Sequence, residues 1–322
     1  MSQLHSASES ARKGRDWILR HLQTDGSISG ASDLRAYYKT PFALLQSGAS
    51  AEADRVLDYV ESRFLRDGGD LDGTGVPWFP IYRTYPHSWL CCGAMKSGRF
   101  ELARALSGFI ATFHNPSSGG FFADEARSVE EIMTTSMAGL ASLWSGRLDL
   151  AMAAAGWLEN LMNAQPHLER GLYTSWRDGL VTTFSEQEQP GCFIDASKPR
   201  QYYFQFGISA AFLSSLGDEK WLRLARQFLH ASAHCSEDRY STPQSGKIGW
   251  GAAWTSRLSR SEEDRDLSRK VAAGLCALQN DDGSWLATGA YGCESADPDS
   301  VVIDVTSEFV ALQGCIAATR GI

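Results

Sequence analysis

The chain has 322 residues, 43% hydrophobic and 21% charged, which provides for a large core and argues against disorder. A net charge of −8, with scattered rather than clustered basic residues, argues against nucleic acid as a partner. No apolar run approaches the roughly 20 residues of a bilayer span, and Met1 to Ala7 form no apolar signal core, so a cytoplasmic location is expected.

The first amphipathic stretch is 9–23. An apolar segment beginning near Tyr37 follows and closes on Leu45-Gln46-Ser47-Gly48-Ala49-Ser50. Residues 51–65 are then one-sided, with Val56, Leu57, Val60 and Phe64 on one stripe. The alternation repeats. A segment from Pro86 is apolar or small almost all round and ends at Ser97-Gly98; 99–114 is one-sided, carrying Leu102, Leu106, Phe109, Ile110 and Phe113. A segment from Glu130 ends at Ser145-Gly146 and hands over to 147–164. A segment from Tyr202 ends at Ser215-Leu216-Gly217 and hands over to 218–235; a segment from Lys247 precedes 261–279, and a last one starts at Asp304. All-round apolar helices mark an inner layer and one-sided helices an outer one. The first three Ser-Gly hinges lie roughly 50 residues apart, a period typical of helical arrays.

Six of each kind in alternation predict an all-α (α/α)6 toroid forming one domain over 1–322. An open superhelix of the tetratricopeptide or armadillo kind fits less well, because the units differ in length and lack polar end caps. Inner-to-outer links are short and end in Gly, whereas outer-to-inner links are long and rich in turn residues, such as Asp67-Gly68-Gly69-Asp70 and Asp281-Asp282-Gly283-Ser284-Trp285. All long links therefore fall on one face, where six inner-helix N-termini favour anionic or electron-rich ligands. The longest, 165–200, contains Trp176, Arg177, Phe184 and Phe193 and is the candidate lid.

Leu278-Gln279-Asn280-Asp281-Asp282-Gly283-Ser284-Trp285 is similar to the Q-x-x-x-G-x-W signature of squalene and hopene cyclases, with weaker echoes at Gln23-Thr24-Asp25-Gly26 and Gln165 to Tyr173. The chain resembles a single-domain member of the terpenoid cyclase and protein prenyltransferase toroid superfamily. The resemblance implies the toroid fold and makes Gln279, Gly283 and Trp285 braces between helices. It carries the reaction less well. No Asp-x-Asp-Asp acid motif occurs, Asp70-Leu71-Asp72-Gly73 being half of one, and no DDxxD motif occurs. Of a prenyltransferase zinc set, Cys293, Asp297 and Asp299 are available without a His partner. The seven cysteines include no CxxC, and adjacent Cys91-Cys92 read as small packed hydrophobes in a reducing interior. P-loop, Rossmann, HExxH and GxSxG patterns do not occur, so no cofactor and no metal is expected.

Aromatic residues gather where inner helices begin, and Tyr38, Trp78, Tyr85, Trp89, Trp176, Tyr202, Phe206, Trp250 and Trp254 are the expected substrate-binding wall. Such a wall suits an apolar or polyene skeleton, a developing cation or a stacked sugar ring. The expected catalytic groups are Asp304, Glu308, His87 and Tyr203. Asp304 is an acid whose apolar surroundings raise its pKa, or else a helix cap. Glu308 lies one turn on, in a helix buried on both sides. His87 sits in the first turn of the second inner helix as a proton or hydrogen-bond donor, and Tyr203 is a donor at the mouth. Glu131 reads as part of a Ser128-x-x-Glu131 capping box. Lys39, Arg35, Arg83 and Arg200 are candidate clamps for a substrate carboxylate.

These residues predict a cofactor-free cyclase or isomerase acting on a small apolar unsaturated metabolite, by acid- or hydrogen-bond-assisted cationic or pericyclic ring closure. A carbohydrate enzyme of the same barrel type, using Asp33, Asp195, Asp304 and Glu308, remains the alternative. A non-catalytic interaction toroid is the third reading and requires a filled centre. The sequence leaves the oligomeric state open.

Overall fold

The computed structural model of the chain describes residues 2–177, 180–181, 191–286 and 298–321. Outer helices α1 (Ser2–His21), α3 (Ser50–Arg63), α5 (Phe100–Ala111), α7 (Leu148–Asn163), α9 (Glu219–Ala231) and α11 (Glu262–Ala277) alternate with inner helices. The inner set is α2 (Thr40–Gln46), α4 (Tyr85–Ser97), α6 (Ile132–Trp144), α8 (Phe204–Ser215), α10 (Gly246–Ser259) and α12 (Pro298–Ala317). Each inner helix packs against the next around the ring, and α12 closes on α2. Closure is what separates this (α/α)6 toroid from an open superhelix.

The layering follows from sequence. Ten consecutive residues of α4, Tyr85 to Ala94, are buried, whereas α9 buries one stripe of Trp221, Leu224, Ala225, Phe228 and Leu229 and wets the rest. The hinge glycines Gly48, Gly98, Gly146 and Gly217 all have φ between +74° and +86°. A Cβ at any of them would meet nothing within 4 Å, so it is the left-handed backbone and not lack of space that calls for glycine. The fifth hinge makes the same turn with Arg260, at φ +56°.

The outer-to-inner links begin alike, with small antiparallel bridges Leu22 to Ile28, Leu65 to Leu71 and His114 to Phe121. The best signature copy is a brace. Gln279 Nε2 donates to the Ser10 and Gly283 carbonyls, both at 2.9 Å, and a Cβ on Gly283 would strike the Lys13 carbonyl. Trp285 is fully buried, donates Nε1 to the Leu275 carbonyl at 2.8 Å and its backbone N–H to Thr306 at 3.0 Å. It thereby fastens α11 and α1 to α12.

Some boundaries differ from those read in the sequence. The helix α12 begins at Pro298, so Asp304 lies well inside it and is not a cap. Residues Asp299–Ala317 are apolar enough by composition to cross a bilayer, yet 83% of that window is buried within the toroid. The Ser128 box does not form. Ser128 bonds Asp124, and Glu131 itself caps α6 by accepting from the Met133 and Thr134 N–H groups. Glu130 and Glu131 form β1, which pairs with β3 (Ser175–Arg177); β3 also pairs with β4 (Leu180–Val181). A second ladder joins β2 (Gly171–Tyr173) to β5 (Phe193–Asp195). The ladders anchor both ends of the 165–200 link, and Phe184 lies outside the described residues.

Candidate active site

The long links all reach the end of the barrel where the inner helices start, and a chamber of 250 Å³ opens there. All six inner helices contribute. Tyr38 and Lys39 come from the approach to α2, Trp78, Ile81 and Tyr82 from the approach to α4, and Tyr85 from its first turn. Met133 comes from α6, Tyr202 and Phe204 from the start of α8, and Lys247 from α10. The helix α12 adds Val301, Asp304 and Glu308, and Arg35 completes the rim. The aromatic walls meet edge to face, Tyr38 standing 5.8 Å from both Trp78 and Tyr85 between ring centroids.

The chamber has one polar pole. Glu308 is 2% exposed and is held by two lysines, Lys39 on one carboxylate oxygen and Lys247 on the other. Lys39 also lies 2.9 Å from the Asp304 carboxylate. Asp304 and Glu308 are four residues apart on one helix and therefore project side by side. Buried charges persist only when paired, and this pole pairs two ammonium groups with two carboxyls.

The two carboxyls differ in acidity. Burial pushes Glu308 up, but the Lys247 and Lys39 charges outweigh it and hold the group at about 2, an anion. Burial pushes Asp304 up as well. The neighbouring Glu308 charge adds to the rise, Lys39 and the Tyr38 hydroxyl only partly offset it, and the net shift is upward. Lys247 is pushed down by burial and by Lys39, with Glu308 opposing. Tyr38 and Tyr85 are raised well above the ordinary phenol by burial and by the carboxylate charges, so they remain donors. The pole therefore offers a carboxyl of raised pKa beside a fixed ion pair, under aromatic walls. Cation–π contacts reinforce it: the Lys39 ammonium is 4.9 Å from the Tyr38 ring and the Lys247 ammonium 5.3 Å from Phe204.

Several expected residues lie elsewhere. His87 is fully buried on the opposite side of α4, stacked 4.3 Å from Phe109, with Nε2 3.3 Å from Asp70. Burial pushes its pKa down to about 4, so it is a neutral packing group and not a mouth donor. Tyr203 donates its hydroxyl to Asp238 at 2.7 Å, away from the chamber that Tyr202 and Phe204 line. Trp89 and Trp250 are buried deeper, 5.8 Å apart, as core below the chamber, and the partly buried Trp254 packs edge-on against Trp250 at 5.0 Å. Phe206 is buried in α8 and does not line it. Trp176 lines a separate trough with Glu130 and Trp157.

The expected clamps are mostly occupied. Arg83 binds Asp70 at 2.6 Å and Glu125 at 2.6 Å, and Arg35 binds Asp33. Arg200 adopts φ +58°, and its backbone N–H donates to Asp238. Lys39 does sit in the chamber, but on carboxylates of the chain itself. Asp195 is tied to Ser197 and Lys198 at the surface, so the four carboxylates of the carbohydrate reading do not converge. Sequence reasoning missed Ile81, Met133, Lys247 and Val301 as wall residues. Cys293 and Asp297 lie outside the described residues. Cys91 and Cys92 are buried, and burial pushes the Cys91 thiol up to about 12.

No family model matches the sequence, and no curated protein matches it. Solved structures do. An α-1,6-mannanase of glycoside hydrolase family 76 from Salegentibacter sp. HEL1_6 superimposes with a TM-score of 0.65 at 11% identity, covering 98% of this chain and 100% of that one. The type II terpene cyclase MstE from Scytonema, in complex with geranylgeranyl dihydroxybenzoate, gives 0.59 at 14% identity over 98% and 99%. A D-mannose isomerase gives 0.71 at 8% identity over 98% and 97%. At these identities the likeness is one of fold. The neighbours are (α/α)6 toroid enzymes with different chemistries.

Proposed function

We propose that the chamber is the active site of an intramolecular cyclase or isomerase acting on a compact, apolar, unsaturated metabolite. The observation that carries this reading is the asymmetry of the chamber: aromatic walls on most sides, and one buried pole where a carboxylic acid of raised pKa stands beside Lys39. The wall holds the carbon skeleton in a folded conformation, so proximity supplies part of the acceleration. Asp304 protonates an alkene or donates to a carbonyl at one end of the substrate. Lys39, 2.9 Å away, stabilises the carboxylate left behind. Faces of Tyr85, Trp78 and Tyr82 then meet charge that develops along the chain. At 250 Å³ the chamber falls below the about 300–1,000 Å³ of sites for drug-sized ligands, which favours a short skeleton.

A carbohydrate reading is supported by the neighbours, since a mannanase and a mannose isomerase share the fold. Against it, Asp304 and Glu308 share one helix face and one lysine, and do not stand on opposite walls around a glycosidic bond. The non-catalytic reading needs a filled centre, and the barrel has a chamber instead. The test is turnover of short polyenes and polyenals beside mannose and α-1,6-mannobiose, followed by product mass and retention. Polyene isomers of unchanged mass support the proposal; conversion of the sugars alone would sink it.

A further inference from the structure

Lys247 is the second residue of α10 and is 2% exposed. Its ammonium has three N–H donors, and among the described residues one acceptor, Glu308, is bonded to it. The remaining donors face a chamber whose nearest walls are aromatic, Phe204 at 5.3 Å and Tyr85 at 6.0 Å from the nitrogen. Lys39 holds the other oxygen of the same carboxylate, so a second cation stands close by. Desolvation and the neighbouring cation favour the free amine while Glu308 favours the ammonium, and the net shift is downward, so more nucleophilic amine is present here than on an exposed lysine.

We propose that Lys247 captures the carbonyl carbon of an α,β-unsaturated aldehyde or ketone as an imine, and that such a compound is the substrate class of the chamber. This rests on the ring-closure reading above and names the head group on which closure acts. The neutral Lys247 amine adds to the carbonyl carbon, and a proton moves from nitrogen to oxygen to give the neutral carbinolamine. Asp304 then gives its carboxyl proton to the departing hydroxyl, which leaves as water as the nitrogen lone pair forms the C=N bond. The products are a protonated imine on Lys247, one water and the Asp304 carboxylate, so atoms and charge balance. Glu308 faces the new cation and Lys39 faces the new anion. Conjugation of the iminium with the polyene draws electrons from it and activates it for closure, with no oxidant or cofactor in the step. Hydrolysis by the reverse path frees the product.

The test uses the intact chain at pH 7 with trans-cinnamaldehyde and sodium cyanoborohydride, followed by digestion and peptide mass mapping. One reduced adduct should dominate, on the peptide carrying Lys247. It should exceed adducts on the exposed Lys13 and Lys198 by about tenfold or more. Lys247→Arg, which keeps the charge beside Glu308, should lose this adduct. Adducts spread evenly over surface lysines, or none on Lys247, would overturn the proposal. So would binding of cinnamate by a protein that forms no adduct with the aldehyde, since the ammonium would then be an anion clamp. Because the wild-type map decides the matter, a poorly folded variant leaves it testable. A mapped adduct without polyene turnover supports the imine and removes the ring-closure reading; turnover without an adduct does the reverse.

Discussion

Two of the carboxylates buried at the mouth end of this toroid, Glu130 and Glu308, are satisfied in opposite ways. Glu130 accepts from Ser118 at 2.7 and 2.8 Å, from Asn115 and from the indole of Trp157. Neutral donors from one link and one outer helix close around it, fixing the loop before β1. Glu308 is held instead by two lysines from the inner elements on either side of α12, one of which still has donors facing the chamber. The first arrangement ends in itself. The second leaves chemistry unspent, with a neighbouring carboxyl of raised pKa. Burial of a charged group does not by itself mark a site; what matters is where its partners' remaining valences point.

That contrast can be broken by substitution. The largest effect is expected for Glu308→Gln, which strands two buried ammonium groups. Denaturant unfolding should show a loss of about 3–5 kcal/mol, and a loss below 1 kcal/mol would mean the pole is solvated. Asp304→Asn replaces the carboxyl by an isosteric amide that cannot give up its proton, so it should fold normally and lose about 100-fold or more in turnover. In the wild type, turnover should fall as pH rises through the elevated Asp304 pKa, because the protonated form is the active one. A rate that rises over that range would assign Asp304 as a base.

Glu130→Gln should cost about 1–3 kcal/mol through mismatched donors and leave the chamber chemistry intact. The smallest effect belongs to His87, whose pKa is lowered from 6.5 to about 4. The unfolded chain binds this proton first, so His87 supports the fold above pH 6.5 and that support is lost as pH falls toward 4. Glu308 behaves likewise from its ordinary 4.5 down to about 2. His87→Phe should flatten the upper limb of an acid-unfolding curve and leave the lower one; an unchanged upper limb would contradict the assignment.

The architecture was legible because its cause is local. The alternation of all-round and one-sided helices, and a left-handed residue at each tight hinge, are written within short stretches of chain. The mouth was legible for the same reason. The pole was only half so. Glu308 stood out as a carboxylate inside a buried helix, but its partners lie 269 and 61 residues away along the chain, and no local pattern pairs them. His87 was readable and misread. Tyr85 and Trp89 are one turn apart and share the inward face, so the residue midway between them must point outward. Asp304 reads as a helix start because a buried-looking apolar run, Val301-Val302-Ile303, precedes it; Pro298 at the first helical position is the better signal.

The measurement that bears most directly on the account is polyene turnover by Asp304→Asn and Glu130→Gln proteins side by side, with thermal unfolding of both as the control for fold. The first should be stable and nearly inactive, and the second less stable and active. An active Asp304→Asn protein, or loss of turnover in a folded Glu130→Gln protein, would place the chemistry away from the chamber pole and contradict it.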